Sequence, residues 1–399
     1  MPWVNAEALE LRAMAKDFAQ GEIRPYLEGW DAERRLPDEI FGKLAEMGFL
    51  GMSVPEDHGG LGLDLTTQLL VLEALAWGDA AVALSVAIHG GPVVRALLDH
   101  GSEAQQAMWL PKLASGEALG AFALSETDAG SDATALELEA RRGPEGWTLS
   151  GRKRWVTNGD RAGLLLLFAR TGEGSDGISA FLVPRDTPGI EGMGRERTLG
   201  LSASETAALD FDDVHLDDEA LLGPEGQGWE IARGSLVVGR MSVAAQALGI
   251  AQAAYEHAIR YSREREQFGR ALSDFGATRE KLARMAQRIE ESRALLLMTA
   301  GRWKVAAEEG TVLGRAGEDP LHLPASLEAA AAMAKVSASE SAMWIADEAV
   351  QIFGGYGYMR DYPVEKLMRD AKGAEIYEGT NEVLRWLVAR DLLHETEGS

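Results

Sequence analysis

The spacing of hydrophobic positions along the chain changes twice and divides it into three regions. In residues 1–120, apolar side chains recur every three or four positions, as at Ile40, Leu44 and Met47, which predicts amphipathic helices. The apolar stretch Ala80–Val94 is shorter than the ~20 residues of a membrane span. It contains two glycines and a proline and predicts a buried helix. An α-helical domain is therefore expected over residues 1–120.

Residues 121–228 have a different pattern, in which short apolar runs are bounded by glycine, aspartate or proline. Four of these runs are rich in β-forming residues: GWTLSGRKRWVTNG, GLLLLFART, GISAFLVPR and ETAALDFDDVHL. No helical spacing separates them. They predict a central antiparallel β-domain, built as a sandwich or a barrel.

Helical spacing returns over residues 229–399 and continues over long stretches, as at Val243, Ala247 and Ala251. Long amphipathic helices with few breaks predict a bundle. Residues 310–324, with three glycines and two prolines, are expected to form a solvated loop. The predicted fold class is thus α+β with three domains: an N-terminal α-helical domain, a central antiparallel β-domain and a C-terminal helical bundle.

The composition narrows the possible function classes. The chain has 399 residues, no cysteine, and 39 basic against 63 acidic side chains, which give a formal net charge of −24. A surface this negative repels nucleic acids and anionic membranes, so neither is expected as a partner. Without cysteine, redox chemistry cannot rest on protein sulfur pairs, and a cytoplasmic location is expected.

Several common catalytic motifs are absent from the sequence. The seven histidines show no metal-ligand spacing, and the chain has neither a GxSxG nucleophile elbow nor a GxxxxGK[ST] phosphate loop. The glycine cluster Gly354, Gly355 and Gly357 follows a predicted helix rather than a strand, which argues against a Rossmann site. No metal site is predicted.

Two segments of the β-domain carry candidate binding chemistry. In AFALSETDAGSDATAL, small and hydroxyl residues such as Ser125, Gly130 and Ser131 leave backbone N–H groups free for an anion or an amide-rich ring. In GRKRWVTNG, Trp155 offers a flat face for stacking, and Thr157 offers a hydroxyl on the same face of the strand. Taken alone, the first segment is also typical of a polar loop, and Trp155 of a core residue.

A third segment, QIFGGYGYMRDYPVEKLMRDAKGAEIYEGTNEVLRWL, places Glu378 and Gly379 before a predicted helix that begins near Thr380 and Asn381. A helix N-terminus favours phosphate. A carboxylate buried beside a glycine turn has its pKa raised toward that of a useful base. On this segment alone, an acid in the first turn that interacts with the helix dipole explains Glu378 equally well.

These three segments, together with PEDHGGLGLD and REREQFGRALSDFGATREKLARM, occur in the order and spacing of the acyl-CoA dehydrogenase family, which the whole chain resembles. The resemblance implies the same three-domain layout, with a four-helix bundle as the last domain. It also implies an activity: FAD-dependent α,β-dehydrogenation of an acyl-CoA thioester to the trans-2-enoyl-CoA, in the β-oxidation of fatty acids or in amino acid catabolism.

The resemblance also implies roles for individual residues. Glu378 would remove the pro-R α-proton while a β-hydride passes to flavin N5, and the Glu378 N–H and a ribityl hydroxyl of FAD would bind the thioester oxygen. The implied FAD contacts within one subunit are Phe122, Leu124, Ser125, Gly130, Ser131, Trp155, Thr157, Thr380 and Glu382. Those reaching the FAD of a neighbouring subunit are Arg265, Phe268, Gln351, Ile352, Gly354 and Gly355. The implied substrate contacts are Ser131, Arg240, Gly379 and Arg390.

The chain departs from the usual family motifs at several positions. SET stands where the usual TEP has a proline, and Gly276 stands where many members have a glutamine near the neighbouring FAD. Val237 replaces an aspartate that helps some members to hold substrate. Gly239 is not a glutamate, which argues against the subgroups with their base on that helix. Ala81 and its neighbours supply no arginine for a dicarboxylic acyl group such as glutaryl.

The remaining expectations concern partners and substrate. At least a dimer is needed for a complete site, and a homotetramer is expected. Electrons are expected to pass to an electron-transfer flavoprotein; an oxidase that uses oxygen, or a non-catalytic flavin-binding member of the fold, remains an alternative. Short to medium acyl chains are favoured. Arg240, Arg265, Arg369 and Arg390 are expected to offset the acidic surface where anionic CoA and FAD bind, and His89 to be a satisfied polar group at a helix end.

Overall fold

The computed structural model describes residues 4–309 and 325–395. The loop predicted over residues 310–324 lies outside the described residues. Seven helices form the first region: α1 Ala6–Phe18, α2 Leu27–Glu33, α3 Asp38–Glu46, α4 Leu65–Gly78, α5 Ala80–Ile88, α6 Arg95–His100 and α7 Glu103–Ala114.

Four of these seven helices, α1, α4, α5 and α7, begin at a residue whose side chain caps the helix. The Asn5 side chain accepts a hydrogen bond of 2.7 Å from the N–H of Ala8 at the start of α1. Asp64 caps α4 in the same way, accepting 2.8 Å from the Thr67 N–H. Each cap satisfies a backbone donor that the first helical turn leaves free.

Two helical stretches, Ala80–His100 and Gly228–Glu264, are long and apolar enough to span a membrane by length and composition. Of their most apolar windows, 83% and 89% is buried inside the fold, as in the core helices of a domain. Every residue of α5 is buried. The prediction of a buried helix within Ala80–Val94 is therefore confirmed.

The second region is one mixed sheet of eight strands. They are β1 Gly120–Ala123, β2 Glu139–Gly143, β3 Gly146–Val156, β4 Leu164–Arg170, β5 Ile178–Pro184, β6 Ile190–Arg195, β7 Ala207–Leu216 and β8 Leu221–Leu222. The strand order is β6-β7-β3-β2-β4-β5-β8, with β1 paired to β4. The four predicted runs became β3, β4, β5 and β7. The other four strands are short, and β2 and β6 are largely exposed, so they lack a strong apolar signal.

Most strand pairs are antiparallel, as predicted. The exceptions are β1 with β4, and a single contact of β2 with β4, which are parallel. The sheet is mixed because β1, entering from the helical region, runs beside β4 in the same direction. Side chains of β3 and β7, such as Leu149 and Leu209, share one core with Leu165 and Phe181 of β4 and β5, so the sheet curls on itself.

The third region contains the long helices α8 Gly228–Glu264, α9 Gly276–Glu308 and α10 Ala325–Phe353, then α11 Pro363–Ala374 and α12 Asn381–Glu395. A two-strand hairpin, β9 Glu266–Gln267 and β10 Arg270–Ala271, follows α8. α8, α9 and α10 pack against one another, α12 packs on α10, and α11 contacts α8 and α10. These contacts confirm the predicted helical bundle.

α8 also packs against α4, and the two helices approach closely at Gly249. A Cβ at this position would lie 2.5 Å from the carbonyl oxygen of Glu73 and 2.5 Å from the Cβ of Ala76. Only glycine fits here without moving a backbone. α8 is consequently shared between the bundle and the first region, and it carries Gly239 and Arg240 to their junction.

A buried ion pair fixes the loop that follows β1. Lys153 on β3 is completely buried, and its ammonium donates to the Leu124 carbonyl at 2.9 Å and to the Glu126 carboxylate at 2.7 Å. Glu126 also accepts from the N–H groups of Glu137 and Leu138. Burial lowers the pKa of Lys153 to about 8, against the opposing effect of Glu126. The loop LSETDAGSD is thus tied to the strand that carries Trp155.

We expect Lys153→Met to destabilise the fold by ~3–5 kcal/mol, because it leaves the Glu126 carboxylate buried without its cation. Urea unfolding followed by circular dichroism measures the loss. Lys16→Met, which breaks the half-exposed pair with Glu256, is the matched control and should cost less than ~1 kcal/mol. Adding Glu126→Gln to Lys153→Met should restore part of the stability. Equal effects of the two lysine substitutions would contradict this interpretation.

Candidate active site

Glu378 lies in a strained turn between α11 and α12. Its φ is +56° and that of the following Gly379 is +94°, so two consecutive residues have left-handed backbone. A non-glycine residue in this region is uncommon and is found at functional sites more often than elsewhere. Trp155 and Phe268, also at +56°, share this property, so three candidates from the sequence are held in unusual conformations.

One oxygen of the Glu378 carboxylate is buried without a direct partner. Its Oε2 atom is inaccessible to solvent and has no hydrogen-bond partner among the described residues. Burial raises the pKa of Glu378 to about 7, while the positive charges of Arg240 and Lys335 act in the opposite direction. This carboxyl group can therefore both accept and release a proton near neutral pH.

The space for this carboxylate is provided by a glycine on α8. A Cβ added to Gly239 would lie 2.5 Å from Oε2 and 2.8 Å from the carboxyl carbon of Glu378. From the sequence, Gly239 indicates only that α8 has no glutamate at this position. The structure gives the position a second meaning, because any side chain there would displace Glu378.

Two cations hold the backbone of the strained turn. Arg240 Nε donates to the Glu378 carbonyl at 3.4 Å, and Lys335 Nζ donates to the Gly379 carbonyl at 2.8 Å and to Asn381 Oδ1 at 2.9 Å. Sequence reasoning missed Lys335. The available signal was a lysine in the alanine-rich apolar run of α10, where a buried position needs a polar partner.

The predicted substrate residues Arg240, Gly379 and Arg390 come together in the structure. Glu328, buried on α10, lies 3.3 Å from Arg240, 3.7 Å from Arg390 and 3.1 Å from Arg233. This carboxylate was not predicted, and it offsets part of the positive charge expected here. The fourth predicted contact, Ser131, lies in the exposed loop after β1, and no hydrogen bond joins it to this cluster within the described part of the chain.

Arg369 contributes less free positive charge than expected. It donates to Asp31 at 2.8 Å and to Glu365 at 2.7 Å, so two carboxylates already balance its guanidinium. The pKa of Arg369 is raised, most of all by the hydrogen bond that it donates to Glu365. Arg369 therefore links α11 to α2, and its positive charge is not available to bind an anionic ligand.

Next to Glu378, a buried chain of hydrogen bonds links three elements. The Tyr377 hydroxyl donates to Gln246 Oε1 on α8 at 2.6 Å, and Gln246 Nε2 donates to the Ala80 carbonyl of α5 at 2.7 Å. Burial raises the pKa of Tyr377 above its ordinary value, so the phenol stays neutral. The turn is thereby fixed against the apolar helix α5.

The two candidate segments of the β-domain are adjacent. The Arg154 N–H donates to the Ser125 carbonyl at 2.9 Å, and the ring of Phe122 lies 5.1 Å from that of Phe168. The Trp155 ring is half exposed, which excludes the core interpretation that the sequence left open. Leu124 is buried, whereas Gly130 and Ser131 are exposed and Ser125 and Thr157 are partly accessible.

The remaining candidates for FAD binding lie in two places: the start of α12, and the β9–β10 hairpin with the glycine segment after α10. Thr380 and Glu382 lie at the start of α12, where Thr380 Oγ1 accepts from the Val383 N–H at 3.4 Å, so the predicted helix start is confirmed.

The group predicted to reach a neighbouring subunit is mostly exposed. The Phe268 side chain is 94% exposed, and Gln351, Gly354 and Gly355 are exposed as well. Arg265 lies 5.5 Å from the ring of Tyr356, which brings the hairpin and the glycine segment together. Ile352 differs, because its side chain is buried in the helical core and serves packing.

His89 is a satisfied core residue, as expected. Its Nδ1 accepts 2.9 Å from the Gly120 N–H, so Nε2 carries the proton and donates 3.1 Å to the Leu50 carbonyl. Burial lowers the pKa of His89 to about 4. Over residues 4–309 and 325–395, no group of three or more His, Cys, Asp or Glu side chains could hold a metal ion.

The residues of the β-domain segments fit FAD. The N–H groups of Gly130 and Ser131 donate to no acceptor within the described residues, as an anionic pyrophosphate requires. Trp155, on the strand tied to this loop through Arg154 and Ser125, leaves an aromatic face half exposed. Free backbone donors and an open aromatic ring are groups that the pyrophosphate and the flavin ring of a dinucleotide can satisfy.

Family models cover almost the whole chain. The N-terminal, middle and C-terminal domains of acyl-CoA dehydrogenase match residues 5–117, 121–214 and 226–393. The chain belongs to the acyl-CoA dehydrogenase family. It is a flavin-dependent oxidoreductase that uses FAD, and its general reaction is acyl-CoA dehydrogenation.

Individual relatives agree with this assignment. An acyl-CoA dehydrogenase of Bacillus subtilis (strain 168) is 41% identical over 395 residues, 98% of this chain and 100% of that protein. The short-chain specific acyl-CoA dehydrogenase of Bos taurus mitochondria is 39% identical, covering 96% and 89%. The butyryl-CoA dehydrogenase structure from Megasphaera elsdenii has a TM-score of 0.90 at 37% identity, covering 98% and 99%. A structure described as the electron transferring flavoprotein of Acidaminococcus fermentans has a TM-score of 0.91 at 38% identity, covering 98% of each chain.

We expect Gly239→Ala to lower the rate of acyl-CoA-dependent flavin reduction at least ~10-fold, because the added methyl group displaces the Glu378 carboxylate. Stopped-flow absorbance of the flavin measures this rate. Gly42→Ala in α3, where a Cβ meets nothing within 4 Å, is the matched control and should leave the rate unchanged. Retention of the full rate in Gly239→Ala would show that Glu378 is not confined as described.

Proposed function

We propose that the protein converts an acyl-CoA thioester to the trans-2-enoyl-CoA, with Glu378 as the base that removes the α-proton. The observation that carries this proposal is the buried, unpaired Oε2 of Glu378 in a strained turn. A structural carboxylate at a helix start would interact with N–H groups of the first turn. Glu378 instead has a carboxyl oxygen free to take a proton.

The surroundings of Glu378 support proton transfer. A thioester α-proton is too weakly acidic for a carboxylate in water, so negative charge developing on the carbonyl oxygen must be stabilised. The backbone N–H of Glu378 has no acceptor among the described residues and is available for that oxygen. Exclusion of water and a raised pKa then bring the carboxylate closer to the basicity that the reaction needs.

FAD, when bound, supplies the acceptor for the β-hydride. We assign its binding to the N–H groups of Gly130 and Ser131, the hydroxyl of Thr157 and the exposed face of Trp155, with Thr380 and Glu382 at the start of α12. Phe122, Leu124 and Ser125 would line the same region. Arg265, Phe268, Gln351, Gly354 and Gly355 are assigned to the FAD of a neighbouring subunit. The exposure of Phe268, Gln351, Gly354 and Gly355 supports that assignment.

The substrate is proposed to be a short, straight-chain acyl-CoA. Two similar proteins are described as short-chain specific and butyryl-CoA dehydrogenases. Glutaryl-CoA dehydrogenases are also structural neighbours, but α5 has no basic residue that could bind a second carboxylate. Arg240 and Arg390 are proposed to bind the CoA part, and Gly379 to border the thioester.

The wider setting is proposed from the same relationships. An electron-transfer flavoprotein would accept the electrons, in β-oxidation or amino acid catabolism. The protein would form a homotetramer, which fits the exposure of Phe268, Gln351, Gly354 and Gly355. It would work in the cytoplasm, as its bacterial relatives suggest. Its three domains would be divided at residues 120/121 and 228/229.

Glu378→Gln tests the base directly. We expect it to retain FAD and to lose about 10²–10⁴-fold in the rate of flavin bleaching by butyryl-CoA, because the amide cannot take the proton. Anaerobic stopped-flow absorbance gives the rate, and the flavin spectrum shows that the cofactor is bound. Unchanged bleaching would contradict Glu378 as the base. Absence of bleaching in the wild-type protein by every acyl-CoA would support a non-catalytic member instead.

Readmitting air to the bleached wild-type protein tests the acceptor. We expect slow recolouring without an electron-transfer flavoprotein and fast recolouring when it is added. Rapid recolouring in air with formation of peroxide would overturn the dehydrogenase assignment in favour of an oxidase.

A panel of acyl-CoA thioesters tests the substrate class. We expect butyryl-CoA to give a higher rate of flavin reduction than octanoyl-, palmitoyl- or isobutyryl-CoA, and glutaryl-CoA to give none. Stopped-flow rates at saturating thioester provide the comparison. A maximum at palmitoyl-CoA, or activity with glutaryl-CoA, would contradict the proposed substrate.

A further inference from the structure

Lys335 on α10 is a buried cation without a carboxylate partner of its own. Its side chain is completely buried, and no acidic oxygen lies within ion-pair distance of its ammonium in the described ranges. Both of its hydrogen-bond acceptors, the Gly379 carbonyl and Asn381 Oδ1, are neutral. An isolated ammonium is costly to bury, so its retention in a core of alanines requires a reason.

The position of the Lys335 acceptors supplies that reason. Gly379 directly follows Glu378, and Asn381 begins α12. The Lys335 ammonium therefore holds both the residue after Glu378 and the first residue of α12. Burial lowers the pKa of Lys335 to about 7, and the negative charge of Glu378 is the largest influence that opposes this. Lys335 in turn lowers the pKa of Glu378. The Lys335 ammonium on α10 and the Glu378 carboxylate on the turn thus each influence the pKa of the other.

Other charges near the turn are already balanced or more distant. Arg240, the second cation, lies against Glu328 as well as against the Glu378 carbonyl. The charged and titratable groups that surround Glu378 from the elements packed on it are Arg240 on α8, Glu328 and Lys335 on α10, Asp370 on α11, Glu375 and Tyr377 on its own turn, and Glu382 on α12.

We propose that Lys335 is a positioning residue for the α-proton transfer, which fixes the Glu378–Gly379 turn through the Gly379 carbonyl and favours the ionised form of Glu378 by its charge. The proposal rests on the assignment of Glu378 as the base. It adds to that assignment a second residue, on another helix, that holds the base in place and sets the pH range in which the base is ionised.

The test is the pH dependence of flavin reduction by butyryl-CoA in the FAD-loaded protein. The rate requires ionised Glu378, so loss of the nearby positive charge should move the midpoint of the pH profile upward by about one unit. Lys335→Met removes both charge and hydrogen bonds and should also lower the high-pH plateau about tenfold. Lys335→Gln keeps a donor but no charge and should show the same shift in midpoint with a smaller loss of plateau.

Two controls separate this role from a merely structural one. Lys335→Arg carries a permanent charge and should place the midpoint at or below the wild-type value, even where its plateau falls. Ser339→Ala removes a neutral contact to Asn381 on the same face of α10 and should not shift the midpoint. Melting temperature and FAD content report folding for every variant.

The outcomes for Lys335 and for Glu378 are distinguishable. If Glu378→Gln is inactive while Lys335→Met and Lys335→Gln, both FAD-loaded, keep the wild-type midpoint, the inference about Lys335 is wrong and the base assignment stands. An equal shift in Lys335→Arg would also overturn it. If Glu378→Gln stays active, the proposed function fails first.

Discussion

The whole arrangement depends on holding the Glu378 carboxylate, with one oxygen buried, where no described residue forms a direct ion pair with it. Taking a carboxylate out of water is unfavourable unless other groups compensate, and the usual result is a raised pKa. Here the compensation is indirect, since Arg240 and Lys335 donate to the backbone carbonyls of Glu378 and Gly379, not to the carboxylate. The negative charge of Glu378 is stabilised enough for the carboxyl group to ionise, while Oε2 keeps no hydrogen-bond partner among the described residues.

Three helices from the first and third regions meet at the turn that carries this carboxylate. α8 contributes Gly239, which leaves room for the carboxylate, and α10 contributes Lys335. α5 is linked to the turn through Gln246, which donates to the Ala80 carbonyl and accepts from Tyr377, the residue before Glu378. The close contact of α8 with α4 at Gly249 sets the position of α8 itself. We therefore expect a change in the packing of these helices to alter the position of the Glu378 carboxylate.

The sequence predicted the elements whose signal is local. Long apolar periodicities gave α8, α9 and α10, and a glycine before a polar helix start placed Glu378 and α12. The roles of Lys335 and Gly239 could not be found in this way, because each acts on the Glu378 turn. That turn lies more than 40 positions from Lys335 and more than 130 positions from Gly239 in the chain. Arg369 shows the converse error: it is basic in the sequence, but its charge is balanced by Asp31, on α2, which no motif connects to it.

The central claim is that Glu378 titrates near neutral pH because it is buried. An infrared difference titration of the carboxyl stretch, taken between the wild-type protein and Glu378→Gln, measures this without any turnover. The account predicts a single carboxyl group with an apparent pKa of about 7. A midpoint near the ordinary glutamate value of about 4.3 would contradict it, because such a group would be solvated or paired rather than buried and free.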